Sequence, residues 1–331
     1  MLCWWLGPST HPVREEFVIT TISDVGEFGV IARVVAGLDA VPSTLIGPGD
    51  DAAVIATSDN RVVASTDMLI ENRHFRRDWS TAEDVGHKAA ARAFSDIAAM
   101  GATPSALLVA FGAPGTLELS WVDGLVAGLR AECAAAEAAV VGGDVTEADV
   151  ITLALTALGD LDGARPVTLG GAQAGDTVAV CGRLGWAAAG FAVLGRGFRS
   201  PVQVVNAHRR PEPPYFEGQR AAALGATAMT DVSDGLVADL GHIAEASGVR
   251  IDLRAELMDV PAKLREVGAA LNVDPLVWVL TGGDDYALVA TFPKRTELPD
   301  PWRTIGSVAG GEGVRVDGRR WPKGGHEHFR R

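Results

Sequence analysis

The sequence predicts an α/β protein of two domains, built of packed α and β layers, and three observations carry that expectation. Short β-branched apolar runs bounded by Gly, Pro and Asp alternate with longer amphipathic stretches, which is the pattern of strands and helices in layers. The chain has 331 residues, long for one ordinary core. Apolar residues make up 47% and aromatics only 6%, a balance that suits a tightly packed globular chain rather than a disordered or fibrous one.

In the first half, strands are expected at 52–56, 62–65, 106–111, 140–141 and 151–158. Ser80-Thr81-Ala82-Glu83 has capping-box spacing and opens a helix with apolar residues at Val85, Ala89, Ala93, Ile97 and Met100, stopped by Gly101. A second helical stretch, 117–139, leads into a strand that ends at Gly142-Gly143-Asp144. The turn-rich segment 160–166 sets the domain boundary: an N-terminal domain over 24–160, a C-terminal α/β domain over 161–331, and a loosely ordered extension before them over 1–23. Beyond the boundary, strands at 177–180, 226–230, 250–253 and 287–292 are interleaved with helices at 187–194, 217–224 and 236–247.

Composition excludes several classes. Cys3, Cys133 and Cys181 form no CxxC pair, so neither a structural zinc site nor a disulfide framework is indicated, and a cytoplasmic setting fits. A net charge of −13 argues against a nucleic-acid surface. No apolar run approaches the ~20 residues of a membrane span, and the opening residues lack the basic leader of a signal peptide.

Six motifs place an acidic residue beside Gly, Ser or Thr at an expected strand end: Gly49-Asp50-Asp51, Ser65-Thr66-Asp67, Ser95-Asp96, Gly142-Gly143-Asp144, Asp231-Val232-Ser233-Asp234-Gly235 and Gly282-Gly283-Asp284-Asp285. One such motif is an ordinary turn or cap. Six of them call for cations, because gathered carboxylates raise one another's pKa. Oxygen-only ligation points to Mg2+. Lys88 and Arg92 precede Asp96 by eight and four residues, one helical stripe that reads equally as a solvated ion-pair face. Ser233-Asp234-Gly235 opens a helix whose amides suit a phosphate. No GxxxxGK[ST] loop and no kinase-type glycine loop occurs, and Gly182–Gly190 has the wrong glycine spacing for a dinucleotide turn.

Taken in order, IGPGDDAAV, STDMLIENRHF, SDIAAMGATP, VGGDVT, DVSDGLVADLGHIAEASG and TGGDDYALV resemble the thiamine-monophosphate kinase family, part of the aminoimidazole ribonucleotide synthetase-like superfamily. The resemblance runs from about Val25 to Phe329. It implies a two-domain fold of that superfamily with the N-terminal sheets paired in a homodimer, ATP as phosphoryl donor, several Mg2+ ions and thiamine monophosphate as acceptor. Carried over residue by residue, it implies Asp51, Ser65, Thr66, Asp67, Asp96, Asp144, Asp231 and Asp234 as metal ligands, with catalysis resting on Asp51, Asp67, Asp96, Asp144 and Asp234. It implies Gly143, Asp144 and Ser233 as nucleotide contacts, and His74 and Asp284 as substrate contacts. The chain departs from the family pattern at Asp284, where Glu is usual, at Leu169, where an Arg is usual, and at Ala93, where an Asn is usual. A sister ATP-using enzyme and a nucleotide-binding regulator without chemistry are the competing expectations.

Overall fold

A computed structural model describes residues 20–48 and 52–321. Its N-terminal half runs α1 (Ile22–Ala36), β1 (Thr44–Ile46), β2 (Val54–Ile55), β3 (Val63–Ile70), α2 (Ala82–Ala99), β4 (Thr103–Ala113), α3 (Leu119–Ala135), β5 (Ala139–Glu147) and β6 (Thr152–Asp160). The C-terminal half runs β7 (Thr177–Cys181), α4 (Trp186–Gly195), α5 (Val202–Arg209), α6 (Tyr215–Ala223), β8 (Ala228–Asp231), α7 (Leu236–Ser247), β9 (Arg250–Leu253), α8 (Ala262–Leu271), α9 (Pro275–Thr281), β10 (Leu288–Phe292), β11 (Arg303–Ala309), β12 (Gly313–Val316) and β13 (Arg319–Arg320). The expected α/β layers are therefore present in both halves.

The first half folds around a four-stranded sheet in the order β3-β6-β4-β5, with β4 and β5 parallel and the other pairs antiparallel. Period-two alternation gives this sheet two different faces. Leu153, Leu155 and Ala157 of β6 are fully buried on the face that carries α2 and α3. Ala154, Thr156 and Leu158 face the other way, into an apolar groove of about 690 Å³ that α1 and β2 help to line.

Helix α2 is wedged between its own sheet, α3, α6 and strand β8 of the second half. That position explains its run of small residues: Ala89, Ala90, Ala91, Ala93 and Ala98 are fully buried, and larger side chains would overfill the space. Its capping box lies one residue later than expected, with the amide of Asp84 donating to Thr81 Oγ1 and that of Thr81 donating to Asp84. The second half is a seven-stranded sheet, β13-β12-β9-β11-β7-β10-β8, with β8 at the edge nearest α2.

The structure corrects several sequence expectations. Residues 20–23 are docked rather than loose, since the amides of Ile22 and Ser23 donate to Leu117 and Gly115. β3 continues to Ile70 and β5 to Glu147, so Asp67 and Asp144 sit inside strands and not at strand ends. In β3 the consecutive polar residues Ser65, Thr66 and Asp67 alternate between the two sheet faces, a pattern of a strand rather than of turn punctuation. Helices α1, α5, α8 and α9 have no counterpart in the sequence expectations. Residues 1–19, 49–51 and 322–331, which include Asp51, lie outside the described residues.

Candidate active site

One face of α2 collects carboxylates from three directions. From β3, alternation turns Ser65 and Asp67 toward the helix, and Ser65 Oγ donates to Asp96 at 2.5 Å. From the end of β8, Asp231 accepts from Ser95 Oγ at 2.8 Å. From the loop after α9, Asp284 accepts from Lys88 Nζ at 2.7 Å and from Tyr286 Oη at 2.8 Å. Arg92 lies among them, donating to Asp67 at 3.1 Å with its other Nη 3.8 Å from Asp284. The Lys88–Arg92–Asp96 stripe is thus no solvated face: Lys88 is 3% exposed and joins the two halves of the chain.

Backbone contacts hold the loop that carries Asp284. The amide of Asp284 donates to Ser233 O and that of Tyr286 to Val232 O, which locks the segment 282–286 onto the segment 231–235. Asp284 and Tyr286 have φ of 65° and 52°. Non-glycine residues seldom adopt this left-handed conformation, and they cluster where function demands it.

The electrostatics divide this cleft. Burial, then the neighbouring charge of Asp96, pushes the Asp231 carboxyl up to about 8, against the opposing Ser95 hydrogen bond. Asp96 is also raised, by burial and by Asp67, with Ser65 and Arg92 opposing. Burial would raise Asp284 too, but Lys88 and Arg92 hold it well below the usual carboxylate range. Among the described residues, Asp234, Asp239 and His242 are the one trio whose potential ligand atoms all lie within 4.8 Å of one another. Asp67, Asp96 and Asp231 form no such trio. All these donors except His242 are oxygens, the set that favours a hard divalent cation such as Mg2+.

Other expected site residues lie elsewhere. Thr66 points to the opposite sheet face, its hydroxyl donating to Leu155 O at 2.9 Å. Asp144 is exposed on β5 and lines the apolar groove. The register Asp67–Leu155–Val109–Gly143 runs straight across the sheet, so Gly143 stands about 14 Å from Asp67, three strand spacings away. A Cβ on Gly143 would meet Val109 O at 2.0 Å, so strand packing alone already requires glycine there. His74 closes the turn after β3, and its Nδ1 accepts from the Ile70 amide at 2.9 Å, which leaves the proton on Nε2 in the neutral ring.

The helix N-terminus at Ser233-Asp234-Gly235 is not the open phosphate cradle expected. Asp239, in the first turn of α7, folds back and accepts from the amides of Asp234 and Gly235. Its carboxylate takes the place that an anion would have at the positive end of the helix. Asp285 does the same for α4, accepting from Gly185 and Ala187. That filled turn agrees with the rejection of Gly182–Gly190 as a dinucleotide loop. Asp239, His242 and Tyr286 were missed in the sequence. The one signal for them was helical spacing after Asp234 for the first two and adjacency to Asp285 for the third.

Comparison with known proteins places this geometry. Residues 49–161 match the N-terminal domain of AIR synthase related proteins, and residues 173–318 match the C-terminal domain. A thiamine-monophosphate kinase of Mycobacterium tuberculosis is 48% identical over 303 residues, 91% of this chain and 90% of that protein. The crystal structure of thiamine-monophosphate kinase from Stenotrophomonas maltophilia superposes with a TM-score of 0.79 at 32% identity, covering 90% of this chain and 98% of that one. AaThiL complexed with AMPPCP and TMP superposes with a TM-score of 0.77 at 30% identity, covering 94% of this chain and 100% of that one. The carboxylate-lined cleft therefore lies in a chain that belongs to the thiamine-monophosphate kinase family.

Proposed function

We propose that this chain transfers the γ-phosphoryl group of ATP to thiamine monophosphate, making thiamine diphosphate for thiamine-dependent metabolism in the cytoplasm. The observation that carries the reading is the convergence of Asp67, Asp96, Asp231 and Asp284 on one face of α2, in a chain nearly half identical to a named kinase of this kind.

The acceptor is itself a phosphate, whose second pKa is ~6, so it is largely ionised near pH 7 and needs no general base. The obstacle is repulsion between two anions. Asp67, Asp96, Asp231 and Asp234, with Asp51, Ser65, Thr66 and Asp144, are proposed to hold several Mg2+ ions. The raised carboxyls fit this, since buried acids without enough positive charge around them await a cation. Bound there, Mg2+ would neutralise the phosphoryl oxygens and align them for in-line displacement. Ser65 and Ser95 orient Asp96 and Asp231. Gly143, Asp144 and Ser233 are proposed as nucleotide contacts, and His74 and Asp284 as acceptor contacts.

Thr66 and Asp144 lie on the sheet face away from the other acids, beside an apolar groove. That placement supports a homodimer in which the open sheet faces pair and Asp144 serves a site completed by the partner. The domain division proposed is 24–160 and 161–331. Among the described residues no helix is long and apolar enough to cross a membrane.

Incubation of the purified protein with ATP, Mg2+ and thiamine monophosphate, followed by chromatography, tests the reaction. Thiamine diphosphate is expected, and none with chelator or with free thiamine as acceptor. Bound ATP without diphosphate would reject the proposal.

A further inference from the structure

We infer that Arg92 binds the phosphate of the acceptor, an assignment that rests on the phosphoryl-transfer reading above. Its side chain is held from several sides and saturated by none. One Nη donates to Asp67 at 3.1 Å, while the other stands 3.8 Å from Asp284, beyond hydrogen-bond reach. The guanidinium carbon lies 5.9 Å from the centre of the Tyr286 ring. Nε is buried and has no hydrogen-bond partner. A guanidinium carries five N–H donors in a rigid fork, so most of this capacity is unused.

Other arginines of the chain show what a committed pair looks like. Arg76 sets Nε and Nη2 on the two oxygens of Asp78 at 2.9 and 2.8 Å, and Arg250 grips Asp252 through Nε at 3.0 Å and Nη2 at 2.8 Å. Arg92 instead divides its fork between two carboxylates. Arg210 also divides its fork between two carboxylates, Asp84 and Glu83, but keeps a hydrogen bond to each, whereas Arg92 keeps one only.

Its place in the cleft indicates what the remaining donors are for. Asp67 belongs to the proposed metal set and Asp284 to the proposed acceptor contact, and Arg92 stands between them. A phosphate arriving there meets a fixed planar cation whose geometry matches two of its oxygens. Lys88 cannot take that role, because its ammonium is buried on Asp284 and the His208 carbonyl. Asp67 is shared between Arg92 and the proposed metal set, so a loaded site would leave the fork freer to turn to the acceptor.

The test is calorimetric. Thiamine monophosphate and unphosphorylated thiamine are titrated separately into the full-length wild type, R92M and R92K, each with Mg2+ present and each checked for folding by thermal melting. Wild type is expected to prefer the monophosphate. R92M should lose about 10- to 100-fold in monophosphate affinity while thiamine changes by less than about twofold, since a charge-assisted contact to phosphate alone is removed. R92K, which keeps the charge but not the fork, should fall between. It carries the comparison by itself should R92M fail to fold. Equal losses for both ligands, or a monophosphate affinity unchanged in the variants, would overturn the assignment while leaving the kinase reading intact. A wild type that neither prefers the monophosphate nor phosphorylates it would reject the kinase reading, and this assignment with it.

Discussion

Two ends of the same cleft hold carboxylates that behave in opposite ways. At one end Asp284 is kept ionised, held well below the usual range. At the other Asp231 is pushed up to about 8. Burial penalises the charge of both, more at Asp231, which is 7% exposed, than at Asp284, whose side chain is 33% exposed, but burial alone would carry neither carboxyl below the usual range. The difference lies along α2. Lys88 and Arg92, one helical turn apart, face Asp284, whereas the next turn offers Asp231 only the Ser95 hydroxyl and the like charge of Asp96. A buried acid with its own cation is a finished ion pair, and a buried acid without one is a vacancy for a cation from outside. Two basic residues placed on one helix thus separate a cation-demanding end of the cleft from an end already neutral, where the charge of an incoming anion can be met.

The largest effect is expected at the cation-poor end and its border. Asp67→Asn keeps the volume and the strand but removes a proposed metal ligand, so kcat should fall by about 10³-fold or more with the thermal melting temperature little changed. Steady-state kinetics beside a melting curve checks this, and near-normal turnover would remove Asp67 from the proposed metal set.

A smaller effect concerns protons. In chelator-treated protein the folded state keeps a proton on Asp231 that the unfolded chain releases above its ordinary pKa of 3.8. The stability tied to that proton is full below pH 3.8 and is lost as the pH rises toward about 8. Between pH 5 and 7 Asp231 should contribute about 1.4 kcal/mol per pH unit to the slope, stability falling as pH rises, in the same direction as Asp239 and Asp285, which burial pushes up to about 7, and against His208, which burial pushes down to about 3. Urea melts of wild type and Asp231→Asn at pH 5, 6 and 7 would show it as a slope shallower by about that amount in the variant, and added Mg2+ should oppose it more in the wild type than in the variant. A slope unchanged by Asp231→Asn would assign the titration to another group.

Much of the scaffold is readable from the chain because its signals are local. Strand β6 shows as a β-branched apolar run, α2 as an alanine-rich amphipathic stretch stopped by Gly101, and the acids appear as six short motifs. The division of the cleft is not readable in that way. Lys88 and Asp284 are 196 residues apart, so the helical stripe alone cannot distinguish a buried clamp from a solvated face. Asp144 shares its motif style with Asp96, yet sheet order carries it to the far edge and onto the other face. Asp239 looks like any acid in the first turn of a helix until the turn before it is seen folding back onto its carboxylate.

The smallest effect is expected from breaking the finished pair. Lys88→Met leaves the helix and its packing nearly intact but strands the Asp284 charge. Loss of one partner of a fully buried pair costs about 3–5 kcal/mol. The Asp284 side chain is 33% exposed, and Arg92 and Tyr286 remain beside it, so about 1–3 kcal/mol is the expected loss here. Asp284→Asn alone should also destabilise, since it leaves Lys88 buried at 3% exposure without its counter-charge. The double variant should lose less than the sum of the two, with a coupling of about 1–2 kcal/mol measured by urea melts across the full cycle. Additive losses would mean that Lys88 and Asp284 do not depend on one another, and the contrast between the two ends of the cleft would then rest on burial rather than on the placement of two cations along α2.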